Sequence, residues 1–221
     1  MLYLVPTPIG NMEDMSYRAV SVLKAVSVIL AEDTRVTGRL LKRYEIVTPL
    51  SSYHSHNEHG RLEAVIERLQ RGEDMALVSD AGSPGISDPG YLLVRAAIAA
   101  GVELTSLPGA TALIPAVVMS GIPCDRFHFE GFLPHKKGKQ TRIQYLLSLQ
   151  NPFILYESPF RVVKTLQKIL ELGGEDRPVC VTREISKIYE ENIRGTLSEV
   201  ITELSGRPSI KGEIVIVVGV Q

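Results

Sequence analysis

Two carboxylates, a threonine and an arginine stand side by side in Glu32-Asp33-Thr34-Arg35, directly after the apolar run Val28–Leu30. Carboxylates at that density can take a proton from a hydroxyl nucleophile, and a guanidinium can grip a phosphate through two parallel N–H donors. A helix cap needs only one of them. Asp33 or Thr34 would cap a helix over Thr37–Lys42, with Arg35, Arg39, Lys42 and Arg43 as a solvated face, and the remaining hydrogen-bonding groups are left for another purpose.

The most informative segment is Ser79-Asp-Ala-Gly-Ser-Pro-Gly-Ile-Ser-Asp-Pro-Gly90, between the apolar run Met75–Val78 and a helix from Tyr91. Its three glycines and two prolines exclude helix and strand, and its glycines let backbone N–H and C=O groups come close to a ligand. Such a loop suits a nucleotide-like cofactor. A plain turn with Asp88 as helix cap accounts for one Asp and leaves the other unexplained.

The common alternatives fail on spacing. Val5-Pro-Thr-Pro-Ile-Gly-Asn11 stands where a dinucleotide fold carries G-x-G-x-x-G, and Gln140 stands where a P-loop needs Ser or Thr. The segment Gly131 to Arg142 instead concentrates Lys136, Lys137, Lys139 and Arg142 without an acid, as a solvated loop or a phosphate-backbone contact. His54, His56 and His59 with Glu58 form a His-rich stretch that can hydrogen-bond a substrate; with no second ligand cluster, no metal is expected. No G-x-S-x-G occurs, and neither Cys124 nor Cys180 has an activating basic motif, so covalent catalysis is not expected. Pro108-Gly-Ala-Thr-Ala112, Tyr156-Glu-Ser-Pro-Phe-Arg161 and Thr182-Arg-Glu-Ile-Ser-Lys187 are further polar turns at the ends of apolar runs. Thr111 and Ser158 also read as simple N-caps, and the last segment as a surface ion pair.

The elements that must position these groups alternate. Strands are expected at Leu2–Val5, Val28–Leu30, Met75–Val78 and Glu103–Leu107, then at Phe127–Phe129, Phe153–Tyr156, Val179–Thr182 and Ile214–Val218. Between them helical periodicity predicts Ser16-capped residues to Ala25, then Glu58–Arg71, Tyr91–Ala100, Leu113–Ser120, Lys139–Leu149, Arg161–Leu172 and Leu197–Ser205. The alternation implies an α/β fold with a mainly parallel sheet, whose functional loops lie at the carboxyl ends of the strands. The change of character at Gly121-Ile-Pro-Cys-Asp125 suggests two α/β domains, residues 1–120 and 121–221, with a ligand cleft between them.

The chain has 221 residues, 44% hydrophobic and 22% charged, with a net charge of −1, so any nucleic acid must be met by a local patch. Apolar runs are too short to span a bilayer, the N-terminus does not read as a signal peptide, and two distant cysteines fit a reducing compartment, so a cytoplasmic protein is expected.

Taken together, Thr7-Pro-Ile-Gly-Asn11, Glu32-Asp-Thr-Arg35, the Ser79–Gly90 string, Pro108-Gly109, Gly131-Phe-Leu-Pro134, Tyr156-Glu-Ser-Pro159 and Lys211-Gly-Glu213 resemble the small-subunit ribosomal RNA 2′-O-ribose methyltransferases of the tetrapyrrole-methylase superfamily. The resemblance implies a homodimeric two-domain fold, S-adenosylmethionine as cofactor, and methylation of a cytidine ribose in 16S RNA. By position it places cofactor contacts on Pro8, Ala81, Gly82, Ser83, Ile86, Thr111, Ala112, Tyr156 and Glu157. Glu32, Asp33 and Arg35 become catalytic candidates, with Asp88 as a further possible base. Lys136, Lys137, Lys139, Arg142 and Arg39 become RNA contacts. Many members carry a further small C-terminal domain, whereas this sequence reads as a short form ending just after Ile214–Val218. Two other readings stand beside this one. A tetrapyrrole or small-acceptor methylase is disfavoured because those relatives usually have Gly-x-Gly-Pro-Gly-Asp after the first strand, and a non-catalytic RNA- or nucleotide-binding assembly module would bind without transferring a methyl group.

Overall fold

The computed structural model describes residues 1–55, 57–87, 90–135, 137–173 and 176–220. They form two compact units, Met1–Thr111 and Ala112–Gln221.

The first unit is a five-stranded sheet, β1 (Leu2–Leu4), β2 (Val28–Ala31), β3 (Leu50–Ser52), β4 (Met75–Val78) and β5 (Leu104–Ser106), in the order β3-β2-β4-β1-β5. Every pairing is parallel. Parallel strands buried on both faces need continuous apolar runs, and β2 and β4 supply them. Val28, Leu30, Met75 and Leu77 face one core, under α3 (Glu58–Gln70) and α4 (Tyr91–Ala99). Ile29, Ala31, Ala76 and Val78 face the other, under α1 (Tyr17–Ala25) and α2 (Thr34–Arg43). Ser16 caps α1 by accepting from Ala19 N–H, and Asp33 caps α2 by accepting from Arg35 N–H. The chain leaves β1 toward β2 on one face and leaves β4 toward β5 on the other, so the neighbouring strands β4 and β1 form a topological switch point.

The second unit holds β6 (His128–Phe132), β7 (Phe153–Glu157), β8 (Pro178–Arg183), β9 (Glu191–Thr196) and β10 (Ile214–Val218), in the order β6-β7-β10-β8-β9. Here the mainly parallel expectation does not hold. Only the β6–β7 pair is parallel, and β10 runs antiparallel to both β7 and β8. The helices α6 (Lys139–Leu147), α7 (Val162–Gly173) and α8 (Leu197–Ser205) cover one face through Ile143, Leu146, Leu166, Ile169, Val200 and Leu204. The helix α5 (Leu113–Ser120) packs on β8, β9 and β10, so it belongs to this unit, and the division falls at Thr111/Ala112 and not after residue 120.

The motif Lys211-Gly-Glu213 is explained by packing in this unit. Gly212 adopts φ +94°, and a Cβ there would stand 2.4 Å from the Glu184 side chain. Glu184 crosses that space to accept from Glu213 N–H (2.9 Å) and from Lys187 (2.8 Å), which ties the start of β10 to the β8–β9 turn. Among the described residues no helix is long and apolar enough to cross a membrane.

Candidate active site

Four loops at the carboxyl edge of the first sheet are joined, mostly through the backbone. Thr7, just after β1, exchanges two hydrogen bonds with Gly82 of the β4 loop, each 2.9 Å, and its buried hydroxyl donates to Ser79 O at 3.0 Å. Ser79 in turn donates to Ala81 O and Gly82 O. The β5 loop closes on the β1 loop at Gly109, where a Cβ would stand 2.7 Å from Pro6 Cβ, a contact only glycine permits. The β2 loop joins through Asp33 N–H, which donates to Asp80 Oδ1 at 3.1 Å. The β4 loop reverses direction at Gly82 and Gly85, both at positive φ. Gly90 at its end lies at φ +139°, against Leu77. Sequence reading missed Thr7, Ser79 and Asp80 as holders of this frame, although polar residues directly after buried strands were the available signal.

The structure brings the first-unit candidates together at this edge. Ala81 and Ile86 are exposed, Pro8, Ser83 and Thr111 half-buried, and Gly82 buried. Glu32, Asp33 and Arg35 follow β2 at the same edge. Asp33 is committed to Arg35, which donates from Nε (3.0 Å) and from an Nη (2.6 Å). That guanidinium and the capping N–H hold the Asp33 carboxyl well below the usual carboxylate range. Asp33 is therefore a weak base, and Arg35, with its side chain 88% exposed, presents its remaining donors to solvent. Asp88 lies outside the described residues, as do Lys136 and His56.

In the second unit, Tyr156 packs edge-on against Phe129 and Phe132 at the ends of β6 and β7. Glu157 is buried, and both its oxygens are used within the unit. Oε1 accepts from Ser158 N–H (2.7 Å) and Arg161 (2.8 Å), and Oε2 accepts from Thr165 (2.7 Å), with Lys139 at 3.9 Å. Arg161 also meets His135. Lys139 is thus no free cation: it donates to Thr165 at 2.8 Å, and burial pulls its ammonium down in spite of Glu157. Arg142 is likewise held by Glu130 at 2.5 and 2.6 Å and lies over the Tyr145 ring. Burial works to raise Glu130, but hydrogen bonds from Arg142 and His128 more than offset it and leave the carboxyl below its ordinary range. Two of the four expected loop cations, Lys139 and Arg142, are therefore held by acids that arrive from β7 and β6. Lys137 remains exposed and Arg39 exposed on α2.

The His-rich stretch is organised by its neighbours. His54 N–H donates to Asn57 Oδ1 (2.9 Å), and Arg61 reaches back to Ser51 and the Ser52 carbonyl. Among the described residues no group of three His, Cys, Asp or Glu side chains could hold a metal ion. Both cysteines are free thiols, and burial raises that of Cys180.

Residues 1–201 match the family model described as tetrapyrrole (corrin/porphyrin) methylases. The chain belongs to this family. Among its relatives is a Synechocystis protein named ribosomal RNA small subunit methyltransferase I, 48% identical over 99% of this chain and 78% of the relative. Proteins of the same name from Bacillus subtilis and Xylella fastidiosa are 49% and 46% identical, over 99% and 98% of this chain and 74% and 80% of the relative. Solved tetrapyrrole methylases share the fold at low identity. The cobalt precorrin-4 methyltransferase CbiF superposes with a TM-score of 0.68 at 16% identity, covering 99% of this chain and 94% of that one. The methyltransferase CobJ gives 0.70 at 19%, covering 99% and 93%.

Proposed function

We propose that this methylase transfers a methyl group from S-adenosylmethionine to the 2′-oxygen of a cytidine ribose in the 16S RNA of the small ribosomal subunit, working in the cytoplasm as a homodimer. The observation that carries the reading is the near-full-length identity to relatives named ribosomal RNA small subunit methyltransferase I. The switch-point loops fit the cofactor by their donor set. They offer backbone N–H and C=O groups around the exposed Gly85, beside the exposed Ile86 and Pro108, which suits a nucleoside. Pro8, Ala81, Gly82, Ser83, Ile86 and Thr111 of the first unit would hold it. When bound it supplies an electrophilic methyl carbon on a sulfonium, already a good leaving centre.

The chain's own part is positioning, which for a bimolecular transfer is worth many orders of magnitude in rate. Asp33 fixes the Arg35 fork, and Arg35 anchors the phosphate next to the target ribose with its remaining donors. Glu32 is the carboxylate that accepts the hydroxyl proton as the bond to carbon forms.

The test is tritiated methyl transfer from S-adenosylmethionine to 30S subunits, naked 16S RNA and a tetrapyrrole in parallel. Label is expected in an alkali-resistant dinucleotide of the RNA, and a 2′-deoxy nucleotide at the target should abolish it. Label in the tetrapyrrole alone, or cofactor binding with no transfer to any acceptor, would overturn the proposal.

A further inference from the structure

The helix α2 starts at the lip of the site, where Asp33 meets the β4 loop, and runs ten residues away from it, about 15 Å at 1.5 Å per residue. It buries Thr37, Leu40 and Leu41. Spacings of four and three residues put Arg35, Arg39 and Lys42 in one stripe opposite that buried face, with Arg43 beside them. All four are exposed, and no acid occurs in the helix. Arg35 is paired with Asp33, whereas Arg39, Lys42 and Arg43 make no ion pair among the described residues. At the far end the carboxylates of Glu13 and Asp14 act on Tyr44 together with Arg43, and the exposed Glu45 follows the helix.

Among the described residues, other surface cations of the chain stand singly or are paired, as Arg68, Arg71 and Arg207 are, whereas α2 sets three without an ion pair on one face. An unpaired cationic stripe is self-repelling, so it needs a polyanion to become favourable, and in a chain of net charge −1 it is a local field of the opposite sign. We infer that α2 is the rail that binds the RNA ribose-phosphate backbone leading into the site, a role that Lys139 and Arg142, held by Glu157 and Glu130, do not fill. The inference rests on the RNA-methylase reading and assigns the surface by which that substrate is gripped.

The triple variant Arg39→Gln, Lys42→Gln, Arg43→Gln keeps good helix formers at exposed positions. Binding of 30S subunits and of naked 16S RNA is measured against salt, beside the affinity for S-adenosylmethionine. Three lost phosphate contacts should reduce the slope of log K against log salt by about 2–3, at 0.7–0.9 per contact, and raise the KM for RNA with cofactor affinity unchanged. Lys137→Gln, outside the rail, should leave that slope unchanged. If the wild type methylates RNA and the triple variant keeps its slope, the rail is wrong while the methylase reading stands. If the wild type neither binds nor methylates RNA, both fall. A triple variant that loses cofactor affinity in parallel would also overturn the rail.

Discussion

Replacing Glu157 by Gln separates two roles that the same residue can be given. If the carboxylate faces the cofactor, the change costs affinity. If it is the hub described above, the change costs stability first. Gln has the same size but offers one acceptor oxygen, while four groups converge on Glu157 and two of them are cations. Its amide N–H would face the Thr165 hydroxyl, which itself donates to Oε2, so two donors meet in a buried place. Removing one partner of a buried pair costs 3–5 kcal/mol, and because Lys139 and Arg161 keep side-chain exposures of 21% and 27%, the lower end, about 3 kcal/mol, applies. At roughly 2–4 °C per kcal/mol for a chain of this size, the Tm should fall by about 6–12 °C. Calorimetry of the variant, with cofactor titration well below its Tm, reads both quantities. The double variant Lys139→Met, Glu157→Gln should recover part of the loss, because the cation left without a partner is gone. A Tm within about 1 °C of wild type, together with a tenfold weaker cofactor, would refute the hub and place the carboxylate on the ligand.

Other outcomes follow from the same geometry. Asp33→Asn keeps a capping oxygen but frees the Arg35 fork, so kcat should fall at least tenfold with cofactor affinity unchanged; near-normal kcat would remove Asp33 from the site. Because Arg35 holds the Asp33 carboxyl so low, the wild-type rate should show no ionisation of Asp33 at neutral pH, and a rate-controlling carboxylate pKa that vanishes in Asp33→Asn would contradict this. Gly109→Ala pushes the β5 loop off the rigid Pro6 ring, at a cost of about 1–3 kcal/mol, and should weaken cofactor binding measured by titration; unchanged affinity would separate that loop from the site. Glu191, hydrogen-bonded by Arg207 and Arg183, is lowered from 4.5 to about 2. Its folded value lies below its unfolded one, so its contribution is complete above pH 4.5 and is lost as pH falls toward 2. Thermal scans across that window should therefore show a shallower acid loss in Glu191→Gln, and equal slopes would exclude the linkage.

The α/β class and most strands were legible because buried parallel strands announce themselves as short apolar runs, as at Met75–Val78. Two edge strands, β3 and β9, were not. In β3, Leu50–Ser52 has two serines in three residues, and β9 carries Glu191, Asn192 and Arg194, so only pairing with β2 and β8 makes them strands. The loops of the site were legible from glycine and proline, and Asp33 as a cap from its place before α2. The fate of Lys139 and Arg142 was hidden for a different reason. A cation run can be read locally, but the acids that quench it sit on other elements, and one of them, Glu130, is aimed by a bulge in β6 between Phe129 and Gly131. The boundary after residue 120 failed because α5 is apolar on more than one side and its sequence does not say which sheet it joins.

The bridge between Thr7 and Gly82 has an evolutionary reading. Because the two innermost loops are bolted together through main-chain atoms, their shape survives replacement of most side chains around them. Acceptor preference can then drift by substitution at the rim while the frame stays rigid. Side chains around the frame can therefore be exchanged without moving it, within a fold shared with solved methylases at 16–19% identity.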